Sequence, residues 1–139
     1  MIVDSLMRRS VLTVPHGASV LDAVRLMRDR GVGCVIATRG GAPAGIMTER
    51  DVAFRIVAEG RDPARTRVED VMSSPLATIE PAASVEQAAE AMRRLRVKRL
   101  VVVLGGEVRG IVTVTDIAYA EPELNRDLIE GWVKSRWED

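Results

Sequence analysis

Two seven-residue stretches, Gly45-Ile46-Met47-Thr48-Glu49-Arg50-Asp51 and Gly110-Ile111-Val112-Thr113-Val114-Thr115-Asp116, share one pattern: glycine, two apolar residues, threonine, two variable residues, aspartate. A strand that turns into a helix at the threonine leaves backbone N–H groups at the helix start, where an anion such as phosphate is favoured. The threonine hydroxyl can donate to a phosphate oxygen, and the aspartate in the first turn can accept from both hydroxyls of a ribose. Gly45 and Gly110 would let a ligand approach the backbone. The same residues also suit a purely structural part: Thr48 and Thr113 as N-caps, Asp51 and Asp116 against the helix dipole, and the glycines as a packing requirement. Both copies keep all three residues while Glu49/Val114 and Arg50/Thr115 differ, which favours binding.

The two stretches belong to a longer duplication. A shift of 65 places aligns residues 3–54 with 68–119 without a gap, with identities such as Val3/Val68, Met7/Met72, Ser19/Ser84, Met27/Met92 and Ile46/Ile111. Such a period is long for a stacked solenoid, so two copies packed around a pseudo-twofold axis are expected. Each copy reads as short strand, helix, strand, strand, helix. Ser19 and Ser84 are N-caps, Ser84 with Gln87 forming a capping box, ahead of apolar residues at helical spacing: Val20, Ala23, Val24, Met27 and Val85, Ala88, Ala89, Met92. The apolar runs Cys34 to Thr38 and Leu100 to Leu104 end in Gly40-Gly41 and Gly105-Gly106, which predicts hairpins to Ala44–Met47 and Arg109–Val112. Helices then begin near Thr48 and Thr113, with Val52, Ala53, Ile56 and Val57 expected on the buried face of the first. Gly60-Arg61-Asp62-Pro63 ends that helix, and the chain crosses to the second copy at Arg65 to Arg67.

Composition narrows the function classes. The chain has 139 residues, 47% of them hydrophobic, enough for a core that buries roughly two-thirds of the unfolded surface. Lys+Arg and Asp+Glu number 20 each, so no overall field draws nucleic acid or membrane, and an aromatic content of 3% leaves little to stack on bases. The longest apolar stretch, Leu100 to Leu104, is far short of the ~20 residues that span a bilayer, and the N-terminus meets charge at Asp4. The single cysteine, Cys34, excludes an intramolecular disulfide and reads as a small core residue, which makes cytoplasm the default location. No nucleophile–base pair, metal-ligand cluster or Walker loop is found, so neither catalysis nor a metal is expected. His16, the only histidine, reads as a satisfied loop residue.

Val68-Glu69-Asp70-Val71-Met72, Val97-Lys98-Arg99-Leu100-Val101-Val102 and the terminal glycine–threonine–aspartate pattern, with the fainter Val3-Asp4-Ser5-Leu6-Met7, resemble the cystathionine-β-synthase (CBS) domain over residues 3 to about 119. The resemblance implies an α/β (α+β) fold of two β-α-β-β-α repeats forming a Bateman module. It also implies AMP, ADP, ATP, S-adenosylmethionine or NAD-type ligands in clefts between the repeats, with no catalytic cofactor. It pairs Thr48 and Asp51 with Thr78, Ala83 and Val101, and Thr113 and Asp116 with Thr13, Ala18 and Ile36. Lys98 and Arg99 resemble the basic pair that reaches ligand phosphates in kinase γ-subunits of the family. The first copy has Gly33-Cys34 instead, so one dominant site is expected. A solvated basic face is the alternative for Arg93, Arg94, Arg96, Lys98 and Arg99.

The expected organisation is therefore repeat 1 over 1–64, repeat 2 over 65–120 and an amphipathic helix over 121–139. That helix opens at Pro122 and has a stripe of Leu124, Leu128, Ile129, Trp132 and Val133. The favoured function is a regulatory nucleotide sensor acting as a homodimer on an enzyme or transporter. The alternative is a scaffold with vestigial sites that docks a partner through the tail, which either packs back on its own module or supplies an interface.

Overall fold

Serine hydroxyls open the two long helices. In the computed structural model, which describes residues 1–124, 126 and 130, Ser19 Oγ accepts from the Asp22 N–H at 3.0 Å and starts α1 (Val20–Arg30). Ser84 and Gln87 form the reciprocal capping box that starts α4 (Val85–Leu95). The buried positions are Val20, Ala23 and Met27 in α1, with Val24 partly buried, and Val85, Ala88, Ala89 and Met92 in α4, at the spacing that puts them on one helical face.

Around α1, residues 10–76 form one compact unit with β1 (Thr13–Pro15), β2 (Cys34–Arg39), β3 (Ala42–Thr48), α2 (Glu49–Val52), a π turn (Ala53–Val57) and α3 (Val68–Val71). Around α4, residues 1–9 with the described residues from 77 form the other. It holds a 3-10 turn (Val3–Ser5), β4 (Thr78–Ile79), β5 (Arg99–Leu104), β6 (Glu107–Thr113) and α5 (Val114–Ala120). Both sheets have the same topology. The short first strand runs parallel to the second, which pairs antiparallel with the third across the Gly-Gly hairpin, and register shifts fall at Ala37/Thr38 and Val102/Val103. The expected β-α-β-β-α order of both repeats is present.

The sequence reading divides the repeats at 64/65, whereas the compact units divide at 9/10 and 76/77, because the leaders, residues 3–7 and 68–72, each pack in the unit of the other copy. Val68 N–H donates to the Ala18 carbonyl at 2.9 Å and Val3 N–H to the Ala83 carbonyl at 2.8 Å; these are equivalent bonds under the 65-residue shift. Val68 and Val71 are buried with Val14, Val35 and Met47, and Val3 and Met7 with Leu100, Val102 and Ile117.

One packing expectation is corrected. Ile56 is buried and Val52 partly buried, but Ala53 is exposed and Val57 is 73% exposed. The π turn widens the coil, so the residue below Asp51 is Ile56, five along rather than four, and the apolar face is broken. Of the expected tail helix, positions 122–124, 126 and 130 are helical, and Leu124 packs against the core holding Val3; Leu128, Ile129, Trp132 and Val133 lie outside the described residues. Among the described residues no helix is long and apolar enough to cross a membrane.

The helix ends differ in a testable way. α1 closes at Gly31 with φ 65°, whereas the equivalent residue after α4 is Arg96 with φ 54°, a left-handed conformation that costs a residue with a Cβ about 1 kcal/mol. Arg96→Gly is expected to stabilise the protein by about 0.5–1 kcal/mol, read as a raised urea midpoint at unchanged slope.

Candidate functional site

The two strand-to-helix corners are built alike. At the first, Thr48 ends β3 in an extended conformation and caps α2: Thr48 N–H donates to Asp51 Oδ2 at 2.9 Å, and Asp51 N–H donates to Thr48 Oγ1 at 3.3 Å. At the second, Thr113 N–H donates to Asp116 Oδ2 at 3.0 Å, and Asp116 N–H to Thr113 Oγ1 at 3.2 Å. Glu49 N–H is taken by the Gly33 carbonyl at 3.1 Å and Val114 N–H by the Lys98 carbonyl at 3.0 Å. Most of the amides on which an anion would rest are thus already engaged, and both helices are short. Charge recognition at these corners falls to side chains.

Each aspartate is held by Oδ2, and its Oδ1 meets the leader. Asp51 is 9% exposed, Ser73 Oγ donates to its Oδ1 at 3.4 Å, and Arg55 Nη1 lies 3.9 Å away. That Arg55 also donates to the carbonyls of Val71 at 2.7 Å and Met72 at 3.2 Å, tying the π turn to the end of α3. At the other corner Arg8 Nε donates to Asp116 Oδ1 at 3.1 Å; the Arg8 side chain is 68% exposed, the Asp116 side chain 11%. The fixed Oδ2 sets the carboxylate's orientation, and Oδ1 takes its partner, Ser73 or Arg8, from outside the corner.

Pairing register puts the remaining candidates in rows. In the first unit Thr13, Ile36, Ile46 and Ser73 stand directly opposite one another across the sheet, and Cys34 opposes Thr48 one row on. In the second the rows are Thr78, Val101, Ile111, Arg8 and Arg99, Thr113. Paired residues share a face, and residues two apart share it too, so Thr48 lies on the face of Thr13 and Ile36 and Thr113 on the face of Thr78 and Val101, whereas the resemblance pairs each corner with the strand of the other repeat. The opposite face carries Val35, Ala37 and Met47, or Leu100, Val102 and Val112, into the core. Ala18 and Ala83 sit at the entrances to α1 and α4, where their carbonyls accept from the leaders.

Gly45 and Gly110 answer to packing. A Cβ on Gly45 would stand 2.4 Å from Met72 Sδ, and one on Gly110 2.6 Å from the Arg8 carbonyl oxygen and 3.0 Å from Met7 Sδ. Sequence reasoning missed Arg8, Ser73 and Arg55; the shift of 65 showed the Met7/Met72 identity but not that each methionine packs on a motif glycine, and it makes Arg8 the equivalent of Ser73.

Lys98 is exposed, Arg99 half-buried, and Arg99 stands beside the Thr113 corner of its own unit. Arg93 pairs with Glu90, as a solvated basic face would. His16 Nδ1 hydrogen-bonds the Glu69 carboxylate, whose other oxygen lies 3.6 Å from Arg67 Nη1. The His16 hydrogen bond, followed by the charges of His16 and Arg67, holds the Glu69 carboxyl below its ordinary value against the cost of burial. Cys34 is half-buried at the start of β2.

Known proteins share this architecture. The chain is 34% identical over 116 residues to the CBS domain-containing protein YhcV of Bacillus subtilis, covering 84% of this chain and 82% of that one. It is 35% identical over 124 residues to the protein MK0525 of Methanopyrus kandleri, covering 88% of this chain but 63% of the relative. A structure from Burkholderia ambifaria, described as a candidate signal-transduction protein with CBS domains, superposes with TM-score 0.74 at 33% identity, covering 81% and 82% of the two chains. A hexameric CBS-CP12 protein from bloom-forming cyanobacteria superposes with TM-score 0.80 at 31% identity, over 86% of this chain and 67% of the other. The family model for the CBS domain matches twice, at residues 3–58 and 68–123, so the chain belongs to the CBS domain family and carries a tandem pair of its domains.

Proposed function

We propose that this CBS pair is a non-catalytic regulatory module that senses an adenosine-containing nucleotide: AMP, ADP or ATP, or an S-adenosylmethionine- or NAD-type ligand. The observation that carries the reading is the repeated corner: in both units a buried or nearly buried aspartate is oriented through Oδ2 by a threonine N–H, with Oδ1 on a replaceable partner. A ribose diol would take Oδ1, the apolar row of Ile36 or Val101 would meet the base, and Lys98 and Arg99 would hold phosphate. Oligomerisation fits the exposed Phe54, Val57 and Tyr119, and a homodimer is the state we propose.

Thermal shift with AMP, ADP, ATP, S-adenosylmethionine and NADH should find a stabilising ligand. Asp51→Asn and Asp116→Asn are each expected to weaken that ligand at one site by about 1.5–3 kcal/mol, the worth of a hydrogen bond to a charged group. Both also disturb a capping box, so each should cost about 1 kcal/mol of stability. Calorimetry on the folded double variant decides: affinity equal to wild type would rule the corners out as the site.

A further inference from the structure

The two corners are not equivalent in charge, and the difference comes partly from the leader. On the ligand-facing side of the second sheet, β6 runs between two guanidinium groups. Arg8 is bridged to Ile111 on one side, and Arg99 opposes Thr113 on the other. Lys98 stands next to Arg99, exposed. The equivalent places in the first unit hold Ser73, Cys34 and Gly33, and the cation beside Asp51 there is Arg55 of the π turn, which is engaged by the Val71 and Met72 carbonyls. Among the described residues Arg99 makes no ion pair, and Arg8 pairs with Asp116 through Nε on a side chain 68% exposed.

Resting on the nucleotide reading above, we propose that Arg8 is a specificity-determining residue: with Arg99 across β6 it grips the phosphate chain of a nucleotide whose ribose is held by Asp116, so this corner selects nucleoside polyphosphates over nucleosides. A ribose hydroxyl and Arg8 Nε compete for the same oxygen, Asp116 Oδ1. An exposed ion pair is weak and easily exchanged, whereas a guanidinium on phosphate makes charge-assisted, bidentate bonds. Ribose binding therefore releases Arg8 towards the anion that accompanies it. At the first corner Ser73 brings only a hydroxyl to Asp51, and the Arg55 guanidinium 3.9 Å from that carboxylate is tied to the Val71 and Met72 carbonyls, so the same exchange is not set up there.

Calorimetry of the full chain with ATP, adenosine and inorganic triphosphate, for wild type, Arg8→Ala, Arg8→Lys and Ser73→Arg, tests this. Wild type should prefer ATP to adenosine, and Arg8→Ala should lose about tenfold or more in ATP and triphosphate affinity while adenosine binding holds or tightens, with Arg8→Lys between. Ser73→Arg should add a second ATP-preferring site. A structural role alone would lower ATP and adenosine binding by one factor, and that result overturns the inference, as does no change in any variant. Wild type binding ATP and adenosine alike would overturn it while the nucleotide reading stands; wild type binding none of the three would remove both.

Discussion

Deleting residues 1–9 is expected to unfold the unit that holds β4 to β6 and to leave β1 to β3 protected, although the deleted segment is adjacent in sequence to β1. Val3 is fully buried and Met7 8% exposed in the core with Met92, Leu100 and Ile117. Burying two such side chains contributes about 1.5–3 kcal/mol each, and the cavity they leave adds to the loss. The deletion also strips backbone partners: Asp4 N–H from the Pro81 carbonyl at 2.9 Å, and the reciprocal bonds of Arg8 with Ile111 at 2.8 and 2.9 Å. A total of about 5 kcal/mol or more equals the whole stability of a marginal domain. Hydrogen exchange read by mass spectrometry should show protection lost over 78–120 and kept over 13–57. Loss confined to residues 13–57, or a melting temperature unchanged from the full chain, would show that the leader contributes nothing to the second repeat.

Why that exchange was hidden while the repeats were not follows from the residues. Ser19, Ser84 and the apolar spacing behind them act within one turn of helix, and the Gly-Gly hairpins act within a few residues, so their elements were legible as written. The leaders Val3 to Met7 and Val68 to Met72 carry the same valine and methionine, and either would fit either core; only pairing between distant segments decides. The same holds for Arg8, whose partner Asp116 lies 108 residues away. The threonine–aspartate pattern was legible, and its capping reading describes the observed geometry: the cap is made through Oδ2, while Oδ1 meets Ser73 or Arg8. What the pattern could not show is that the helix amides are already taken by Gly33 and Lys98. Val52, Ala53, Ile56 and Val57 have the spacing of an α-helical face, and the π turn that separates them is fixed by tertiary bonds from Arg55 to Val71 and Met72.

Gly45→Ala and Gly110→Ala should differ in severity although the sequence makes them the same residue of one motif. At Gly45 the three atoms nearest the new Cβ all belong to the Met72 side chain, with Sδ at 2.4 Å and Cγ at 2.8 Å. Met72 is partly buried, and a methionine has three torsions with which to move aside, so the cost should be about 1 kcal/mol. At Gly110 the nearest atom is the Arg8 carbonyl oxygen at 2.6 Å, which is fixed by the Ile111 N–H at 2.9 Å, with the buried Met7 behind it at 3.0 Å. Backbone cannot rotate away as a side chain does. The leader has to lift from β6, breaking the Arg8–Ile111 bridge and loosening Met7, and about 3 kcal/mol is expected. A second substitution separates the causes: Met72→Ala should restore most of the loss in Gly45→Ala beyond its own cavity cost, whereas Met7→Ala should restore little in Gly110→Ala because the clash there is with main chain. Urea denaturation of the four variants reads the difference directly. Equal losses at the two glycines, or full rescue of Gly110→Ala by Met7→Ala, would mean that the leader sits on β6 less tightly than its hydrogen bonds indicate.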